Sequence, residues 1–327
     1  MLTSSAPTRI DLAGGTIDIW PLYLFHERAC TVNAAISLRA HVQIESRPAG
    51  GVELVSIDTN RRDYAASSRE LRDDTLPLLS KLARHYGLEN AVMTTRGESP
   101  AGAGIAGSSA LTIAACGALA RWTKQSEAPD DLLLVAQNVE CQTIKVPAGV
   151  QDYRPALYGG VAAIELAVDG IHRVALPVDA DELQRRIVLA YTGEPRNSGT
   201  NNWAITKAHL DGDAHIFDCF ERIRDTAAYL REALARSDWD AVGRHIATEW
   251  DNRKRLAPGV TTPAIESLIA DARKAGATAA KVCGAGGGGC LFCYGPPEAH
   301  SAISAALAAG GARVLDFHFE TEGLRVG

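Results

Sequence analysis

The chain of 327 residues lacks several features that mark other classes of protein. No apolar run approaches the ~20 residues that a membrane-spanning helix needs, and the first residues have neither the basic nor the apolar segment of a secretion signal. The net charge of −6 leaves no basic excess of the kind that general nucleic-acid binders carry. The sequence therefore predicts a cytoplasmic protein that has no nucleic-acid or membrane partner.

The cysteine pattern is also poor in signals for metal or redox chemistry. The seven cysteines are odd in number and scattered, and several lie in apolar runs, which favours buried reduced thiols over disulfides. Cys290 and Cys293 form one C-x-x-C, but the apolar pair between them is typical of a buried strand. Without a second pair nearby, this motif is weak evidence for zinc or redox function.

The overall composition is that of a globular protein long enough for two domains. Hydrophobic periodicity predicts mixed strands and helices, and the composition turns polar between residues 166 and 186. Predicted strands cover 8–13, 29–45, 52–57, 90–95, 161–166, 186–191, 277–283, 289–294 and 315–319. Predicted helices cover 76–86, 108–122, 130–142, most of 199–256, 263–275 and 297–309, with Asp130 and Asp131 capping the third of these.

Two glycine-rich segments say most about chemistry. Residues 99–111 read S-P-A-G-A-G-I-A-G-S-S-A-L, and residues 284–289 read G-A-G-G-G-G. Backbone without side chains can wrap around phosphate oxygens, and the helix predicted behind the first segment adds free N–H donors. Ser108 and Ser109 suit a helix cap, a phosphate contact or a magnesium ligand. A phosphate-handling, ATP-dependent enzyme is the favoured interpretation, and a flexible loop with an ordinary cap is the alternative.

The common nucleotide motifs do not fit the first segment. No G-K-[ST] follows it, which excludes a Walker A loop. The glycines of G-A-G-I-A-G match the Rossmann spacing, but no acidic residue stands ~20 residues further on at a strand end.

Two carboxylates complete the chemical signal. Asp152 lies in a loop and could accept the proton of a hydroxyl as general base, although a turn-forming role fits its sequence context equally well. Glu140 lies late in a predicted helix and could bind magnesium, which prefers oxygen ligands, although a solvated helix face would also explain it.

These blocks together resemble the GHMP family of small-molecule kinases, named for galactokinase and homoserine, mevalonate and phosphomevalonate kinases. The resemblance is carried by residues 7–18, 100–111 and 281–291, and by Gln151-Asp152 followed by Tyr158-Gly159-Gly160. Among the branches, the motifs are most similar to that of the heptose 7-phosphate kinases. The resemblance implies an α+β fold of two domains, with the active site between them. Residues 1–175 would form a ribosomal S5-like N-terminal domain with the phosphate loop, and residues 176–327 a ferredoxin-like C-terminal domain with the second glycine-rich loop.

The resemblance also implies roles for single residues on the nucleotide side. The first loop would hold ATP through Pro100, Gly102, Ala103, Gly104, Ile105, Ala106, Gly107, Ser108 and Ser109. Glu140 would bind Mg²⁺ together with one of the two serines. Asp152 would be the base, and Arg9 would steady both Asp152 and the transferred phosphoryl group. The loop reads G-I-A-G-S-S where G-L-G-S-S is usual, which leaves open whether Ser108 or Ser109 contacts the metal.

On the acceptor side, the implied residues come from both domains. The substrate-binding set is Thr16, Asp18, Gln151, Arg196, Gly284, Ala285, Gly286 and Gly287. The polar turn at Arg196 suits a phosphate or a polyol, with a surface turn as the alternative. The run Arg253-Lys254-Arg255 could serve likewise, although such a run more commonly forms a solvated helix face.

The resulting expectation is an ATP- and Mg²⁺-dependent kinase of a sugar or sugar phosphate. The favoured acceptor is the anomeric hydroxyl of D-glycero-D-manno-heptose 7-phosphate. A free-sugar kinase of the galactose or fucose type and a mevalonate-type kinase are the alternatives, and a catalytically inactive sugar and nucleotide sensor is an alternative of another class. The sequence leaves the oligomeric state open, and a homodimer is compatible with it.

Overall fold

Twelve strands form two sheets in a computed structural model that describes residues 1–195 and 198–327. In chain order the strands are β1 (Leu2–Ala13), β2 (Cys30–Ser46), β3 (Val52–Ser56), β4 (Arg61–Ala65), β5 (Ala91–Gly97), β6 (Val161–Ala167), β7 (Gly170–Ala175), β8 (Ile187–Tyr191), β9 (Ala279–Val282), β10 (Cys290–Tyr294), β11 (Arg313–Leu315) and β12 (Arg325–Val326).

The first sheet is organised around the long strand β2. Its strand order is β12-β1-β2-β5-β3-β4, with β6 paired to β2 and β7 paired to β6. The first part of β2, residues 30–34, pairs with β6, and its last part, residues 40–46, pairs with β5. The pairing of β3 with β5 is parallel, whereas the other pairs are antiparallel. The second sheet is antiparallel in the order β11-β8-β10-β9.

Helices cover both sheets. Within the described ranges they are α1 (Pro77–Tyr86), α2 (Gly107–Trp122), α3 (Pro129–Ile144), α4 (Tyr153–Tyr158), α5 (Ala180–Arg186), α6 (Ser198–Leu210), α7 (Ala214–Ala235), α8 (Trp239–Arg253), α9 (Pro263–Lys274) and α10 (His300–Ala309). None of them combines the length and the apolar composition that crossing a bilayer requires. The mixture of helices and sheets confirms the predicted α+β class.

Strand alternation explains how the core divides. Successive residues of β8 point to opposite faces of the second sheet. Ile187 and Leu189 pack into a cluster shared with β1, β2, α7 and α8, whereas Val188 and Ala190 pack against α9 and α10. One apolar cluster therefore contains residues of both sheets and joins them.

One predicted cap is wrong, and one of the roles left open for Ser108 and Ser109 is excluded. The N-cap of α3 is Ala128, and the two aspartates lie inside its first turn, where they still complement the helix dipole. The N-cap of α2 is Ala106 in a left-handed conformation, without a side-chain hydrogen bond. Ser108 and Ser109 therefore lie within the helix, and their hydroxyls are available for other contacts.

The end of the chain also differs from the predicted closing strand. Strand β11 ends at Leu315, and Phe319 instead bridges to Ile36 of the first sheet. The final strand β12 then pairs with β1. The last residues thus lie with the first sheet, and the division of the chain at residues 175 and 176 stays a prediction. The buried strand predicted around Cys290 and Cys293 is confirmed as β10.

Candidate active site

The first glycine segment forms one wall of a cleft of about 380 Å³. The cleft lies between this loop, the end of β3 and helix α3. Its lining residues are Ala40, Ser56, Asp58, Thr59, Gly97, Ser99, Pro100, Ala101, Gly102, Ala103, Gly104, Ala106, Gly107, Ser108, Ser109, Leu111, Glu140 and Asp152. Ile105 does not line the cleft: its side chain is fully buried, and its carbonyl accepts a hydrogen bond from the Arg9 backbone N–H at 3.0 Å. Most of this wall is backbone, as phosphate binding requires.

The two serines of the first turn of α2 have different environments. Ser109 is buried, and its hydroxyl donates to Glu140 Oε2 at 2.9 Å. Ser108 is exposed on the cleft. A second hydroxyl, that of Tyr153, also donates to Glu140 Oε2 at 2.8 Å. The sequence did not single out Tyr153, whose position directly after Asp152 places it on α4, facing α3.

These oxygens suit a hard divalent cation. Burial raises the pKa of Glu140, whose carboxylate would gain from a nearby positive charge. In the described part of the chain, no group of three or more His, Cys, Asp or Glu side chains could hold a metal ion. One carboxylate and a cleft-facing hydroxyl fit Mg²⁺, which usually keeps several waters and completes its shell with phosphate oxygens.

Arg9 connects the glycine loop to the predicted base. Its Nε and Nη2 donate to Asp152 Oδ1 at 2.9 and 2.6 Å, and its Nη1 donates to the Gly104 carbonyl at 3.2 Å. The arginine is 1% exposed and the aspartate 26%. Although burial lowers the pKa of Arg9, the charges of Asp152 and Asp11 outweigh it and leave that pKa raised. The guanidinium is therefore a fixed positive charge beside Asp152.

A second, smaller pocket opens on the other side of Asp152. Its lining residues are Arg9, Thr16, Asp18, Ile19, Gly149, Gln151, Asp152, Asn202, Arg253, Gly284 and Ala285. Asp18 Oδ2 accepts a hydrogen bond from the Gln151 backbone N–H at 2.9 Å. Burial, together with the charge of Asp152, raises the pKa of Asp18 to about 6. Arg196 lies outside the described residues, so its place relative to this pocket is not part of the geometry.

The second glycine segment divides between this pocket and protein packing. Gly284 and Ala285 line the pocket. Gly286 and Gly287 lie against the Val260 backbone, whose carbonyl accepts a hydrogen bond from the Gly287 N–H at 2.9 Å. The segment ends at Gly289, whose φ is +80° and where a Cβ atom would lie 2.6 Å from the Ala103 carbonyl oxygen. The two glycine segments thus touch, with the second supporting the first.

Among the residues that the structure describes, Asp152 is the one that lines both cavities. On one side lie Glu140, Ser108 and the backbone of the first glycine loop. On the other side lie Thr16 and Asp18, which can accept hydrogen bonds from a polar molecule. An arrangement of this kind can align a phosphoryl donor and a hydroxyl acceptor across one carboxylate.

Buried charges behind the smaller pocket were missed in the sequence. Asp11, Glu249, Arg253 and Lys281 are all at most 2% exposed and lie in contact with one another. The interpretation of residues 253–255 as a solvated helix face is wrong for Arg253, although Arg255 is exposed. One signal was available, because Asp11 follows Arg9 by two positions and must share its face of the strand.

Comparisons with known proteins agree with the motifs. The family model for the GHMP kinases N terminal domain matches residues 75–160, and that for GHMP kinases C terminal matches residues 230–313. The D-glycero-alpha-D-manno-heptose 7-phosphate kinase of Campylobacter jejuni is 26% identical over 99% of this chain and 98% of its own length. A mevalonate kinase of Methanothermobacter thermautotrophicus is 29% identical over 83% of this chain and 81% of its own.

Solved structures share the fold over nearly the whole chain. A D-glycero-D-manno-heptose 1-phosphate kinase from Bacteriodes thetaiotaomicron superposes with a TM-score of 0.80 at 24% identity, covering 100% of this chain and 99% of its own. A Lactococcus lactis galactokinase complexed with galactose superposes with a TM-score of 0.79 at 18% identity, covering 99% and 95%. The predicted two-domain kinase fold is confirmed. The chain belongs to the GHMP kinase family and is a small-molecule kinase, a phosphotransferase that uses ATP.

Proposed function

We propose that this kinase transfers the γ-phosphoryl group of ATP to the anomeric hydroxyl of D-glycero-D-manno-heptose 7-phosphate. The observation that carries the proposal is the position of Asp152, which faces both the glycine-loop cleft and the smaller pocket and is paired with Arg9. The nucleotide would occupy the cleft and the sugar phosphate the smaller pocket. The choice of acceptor is supported by the full-length similarity to the heptose 7-phosphate kinase of Campylobacter jejuni.

Asp152 would accept the proton of the acceptor hydroxyl or orient that hydroxyl for attack. Its Oδ1 already accepts two hydrogen bonds from Arg9, which holds the carboxylate in one orientation. The guanidinium would also lie beside the phosphoryl group during transfer. Phosphoryl transfer gains most from alignment and from neutralisation of charge, and both are available at this position.

Magnesium would neutralise the charge of the phosphates when it is bound. Glu140 and Ser108 would hold it, since both face the cleft and supply oxygen ligands. Ser109 would act differently, because its hydroxyl is engaged with Glu140 and fixes that carboxylate. The loop backbone at residues 100–109 would hold the triphosphate through its N–H groups.

The acceptor would be held by side chains of the smaller pocket. Thr16, Asp18 and Gln151 would contact its hydroxyls, together with the backbone at Gly284 and Ala285. A buried carboxylate such as Asp18 discriminates between polyols because an unpaired hydrogen-bonding group in this pocket is costly.

An assay of ADP release over a panel of acceptors tests the proposal. The panel contains D-glycero-D-manno-heptose 7-phosphate, the free heptose, galactose, fucose and mevalonate, each with ATP and Mg²⁺. The expected result is the highest kcat/KM with the heptose 7-phosphate, and a product whose new phosphate lies on the anomeric oxygen by phosphorus NMR. Turnover of mevalonate alone, or of a free sugar alone, would mean that this molecule is the acceptor instead. Binding without any turnover would favour a sensor.

A further inference from the structure

Four buried charges connect β1 of the first sheet with helix α8 and with β9 of the second sheet. Asp11 comes from β1, Glu249 and Arg253 from α8, and Lys281 from β9. Lys281 Nζ lies 3.1 Å from a Glu249 oxygen and 3.5 Å from an Asp11 oxygen, and Arg253 Nη2 lies 3.4 Å from the other Asp11 oxygen. Two cations face two anions, so the cluster is neutral and compensates the burial of each charge.

Arg253 uses all five of its N–H donors within the protein. Nε and Nη2 donate to Glu249 Oε1 at 2.8 and 2.5 Å. Nη2 also donates to the Gly15 carbonyl at 2.9 Å, and Nη1 donates to the Thr16 hydroxyl at 3.2 Å and to the Gly284 carbonyl at 3.4 Å. A guanidinium carries five such donors. Arg253 lines the smaller pocket, yet it has no donor left for a bound molecule.

Three of those five hydrogen bonds end on the loops that form the pocket. Gly15 and Thr16 belong to the turn that leads to Asp18, and Gly284 begins the second glycine segment. Thr16 has a φ of +73°, which is unfavourable for a β-branched residue and persists only where neighbouring groups hold it. Arg253 supplies such a hold, since it bonds both the Thr16 side chain and the carbonyl directly before that residue.

We infer that Arg253, fixed by Glu249, is a positioning residue that anchors the loop of residues 14–18 to the second glycine segment. The anchored loop presents Thr16 and Asp18 to the acceptor in one conformation. The acceptor part of this inference rests on the proposed function, whereas the anchoring itself does not. A lysine cannot substitute, because one ammonium group cannot reproduce a planar fork that bonds three loop groups and one carboxylate.

The first test measures the anchoring without any substrate. Backbone amide hydrogen exchange is followed by mass spectrometry in Arg253→Gln and in the double variant Glu249→Gln/Arg253→Gln. If the uncompensated buried negative charge keeps the single variant from folding, the double variant serves as its replacement. It removes one charge of each sign and leaves Asp11 and Lys281 as a balanced pair. The matched control is Arg222→Gln, which removes an exposed arginine from an i,i+4 pair on α7.

Exchange in the peptide covering residues 14–18 should rise by about tenfold or more in the two Arg253 variants, while peptides from α9 and α10 stay unchanged. The control should leave all of these peptides unchanged. Unchanged exchange in residues 14–18 of a folded Arg253 variant would overturn the inference, whatever the substrate of the enzyme is.

The second test separates the inference from the proposed function. With the acceptor that wild type turns over, the variants should raise the acceptor KM by about tenfold or more, because a loop displaced by about 1 Å misplaces both acceptor contacts. The KM for ATP should stay within about twofold, a split that general destabilisation would not produce. If the wild-type enzyme is inactive on every acceptor of the panel, only the proposed function is contradicted. If the acceptor KM is unchanged in folded variants, only the positioning role of Arg253 is contradicted.

Discussion

The two cavities beside Asp152 are built from different materials. The larger cleft is walled mainly by the backbone of one glycine loop, and its charged groups are few. The smaller pocket contains side chains that are almost fully buried and charged, including Arg9, Asp18 and Arg253. In the proposed assignment the larger cleft binds the triphosphate, which is the same in every kinase of this family, and main-chain N–H groups supply many of its contacts. An acceptor differs from one enzyme to the next, so its recognition falls to side chains that other groups must keep in place.

The largest expected effect comes from the residue that both cavities share. Asp152→Asn keeps the size of the side chain but removes its basicity, so kcat should fall by about 10²–10⁴-fold. Binding of an ATP analogue, measured by calorimetry, should stay near the wild-type value. The control is Asp251→Asn, an exposed aspartate on the surface of α8. Near-normal turnover in Asp152→Asn would show that the reaction does not depend on the carboxylate that lines both cavities.

The metal side of the comparison is tested with Glu140→Gln. The new amide can still accept from Ser109 and Tyr153, so the helices keep their contacts, but it loses the charge that would hold Mg²⁺ in the proposed site. The Mg²⁺ concentration for half-maximal turnover should rise by about 10–100-fold. Metal-dependent binding of an ATP analogue should weaken in parallel, whereas acceptor binding should not. Equal weakening of both ligands would show that the cavities are not separable in this way.

The two serines sharpen the same point. Both serines line the cleft, but Ser108→Ala removes an exposed hydroxyl, whereas Ser109→Ala removes a buried one whose hydrogen bond fixes Glu140. The first variant should therefore change the Mg²⁺ dependence more than the second, in a titration run beside that of Glu140→Gln. The opposite order would assign the metal contact to Ser109.

Support of the first glycine loop by the second is tested at Gly289. An alanine there would meet the Ala103 carbonyl in a left-handed backbone conformation, so the free energy of unfolding should fall by about 3 kcal/mol. Gly259→Ala is the matched control, because its φ is +84° but nothing lies within 4 Å of the added carbon. Urea titrations of both variants measure the difference, and Gly259→Ala should lower the free energy of unfolding by only about 1 kcal/mol. Equal costs at the two positions would mean that the contact between the loops is not tight.

The pH dependence of the acceptor side gives the smallest effect. The pKa of Asp18 is raised to about 6, so its carboxylate is ionised at pH 7 and largely protonated at pH 5. The charged form accepts hydrogen bonds from hydroxyls more strongly, so kcat/KM for the acceptor should fall by about tenfold from pH 7 to pH 5. This decrease in kcat/KM toward low pH should be absent in Asp18→Asn, whose side chain is uncharged at both pH values. A decrease that persists in this variant would mean that another group titrates in this range.

Much of the fold could be predicted from the sequence because local patterns determine it. The apolar helix behind the first glycine loop was predicted as 108–122 and is observed as Gly107–Trp122. Arg9 and Asp152 lie in the blocks that carry the family resemblance, and the same resemblance assigned a role to Glu140; the structure brings Arg9 and Asp152 into direct contact.

The groups that could not be predicted depend on contacts between distant parts of the chain. Arg253 and Arg255 look alike in sequence, yet Arg253 is buried and bonds to Gly15 and Thr16 in the turn after β1, whereas Arg255 is exposed. Ser108 and Ser109 are about 100° apart around the helix axis, so the first is exposed on the cleft and the second is buried. The first residue of α2 was predicted to within one position, and of the roles left open for Ser108 a helix cap is excluded because Ala106 is the N-cap.

The most direct test is a crystal structure of the kinase with a non-hydrolysable ATP analogue, Mg²⁺ and D-glycero-D-manno-heptose 7-phosphate. The account predicts the γ-phosphorus at the junction of the two cavities, with the anomeric hydroxyl within about 3.2 Å of an Asp152 oxygen. A nucleotide bound away from the loop of residues 100–109, or a sugar whose hydroxyls do not reach Asp152, would contradict it.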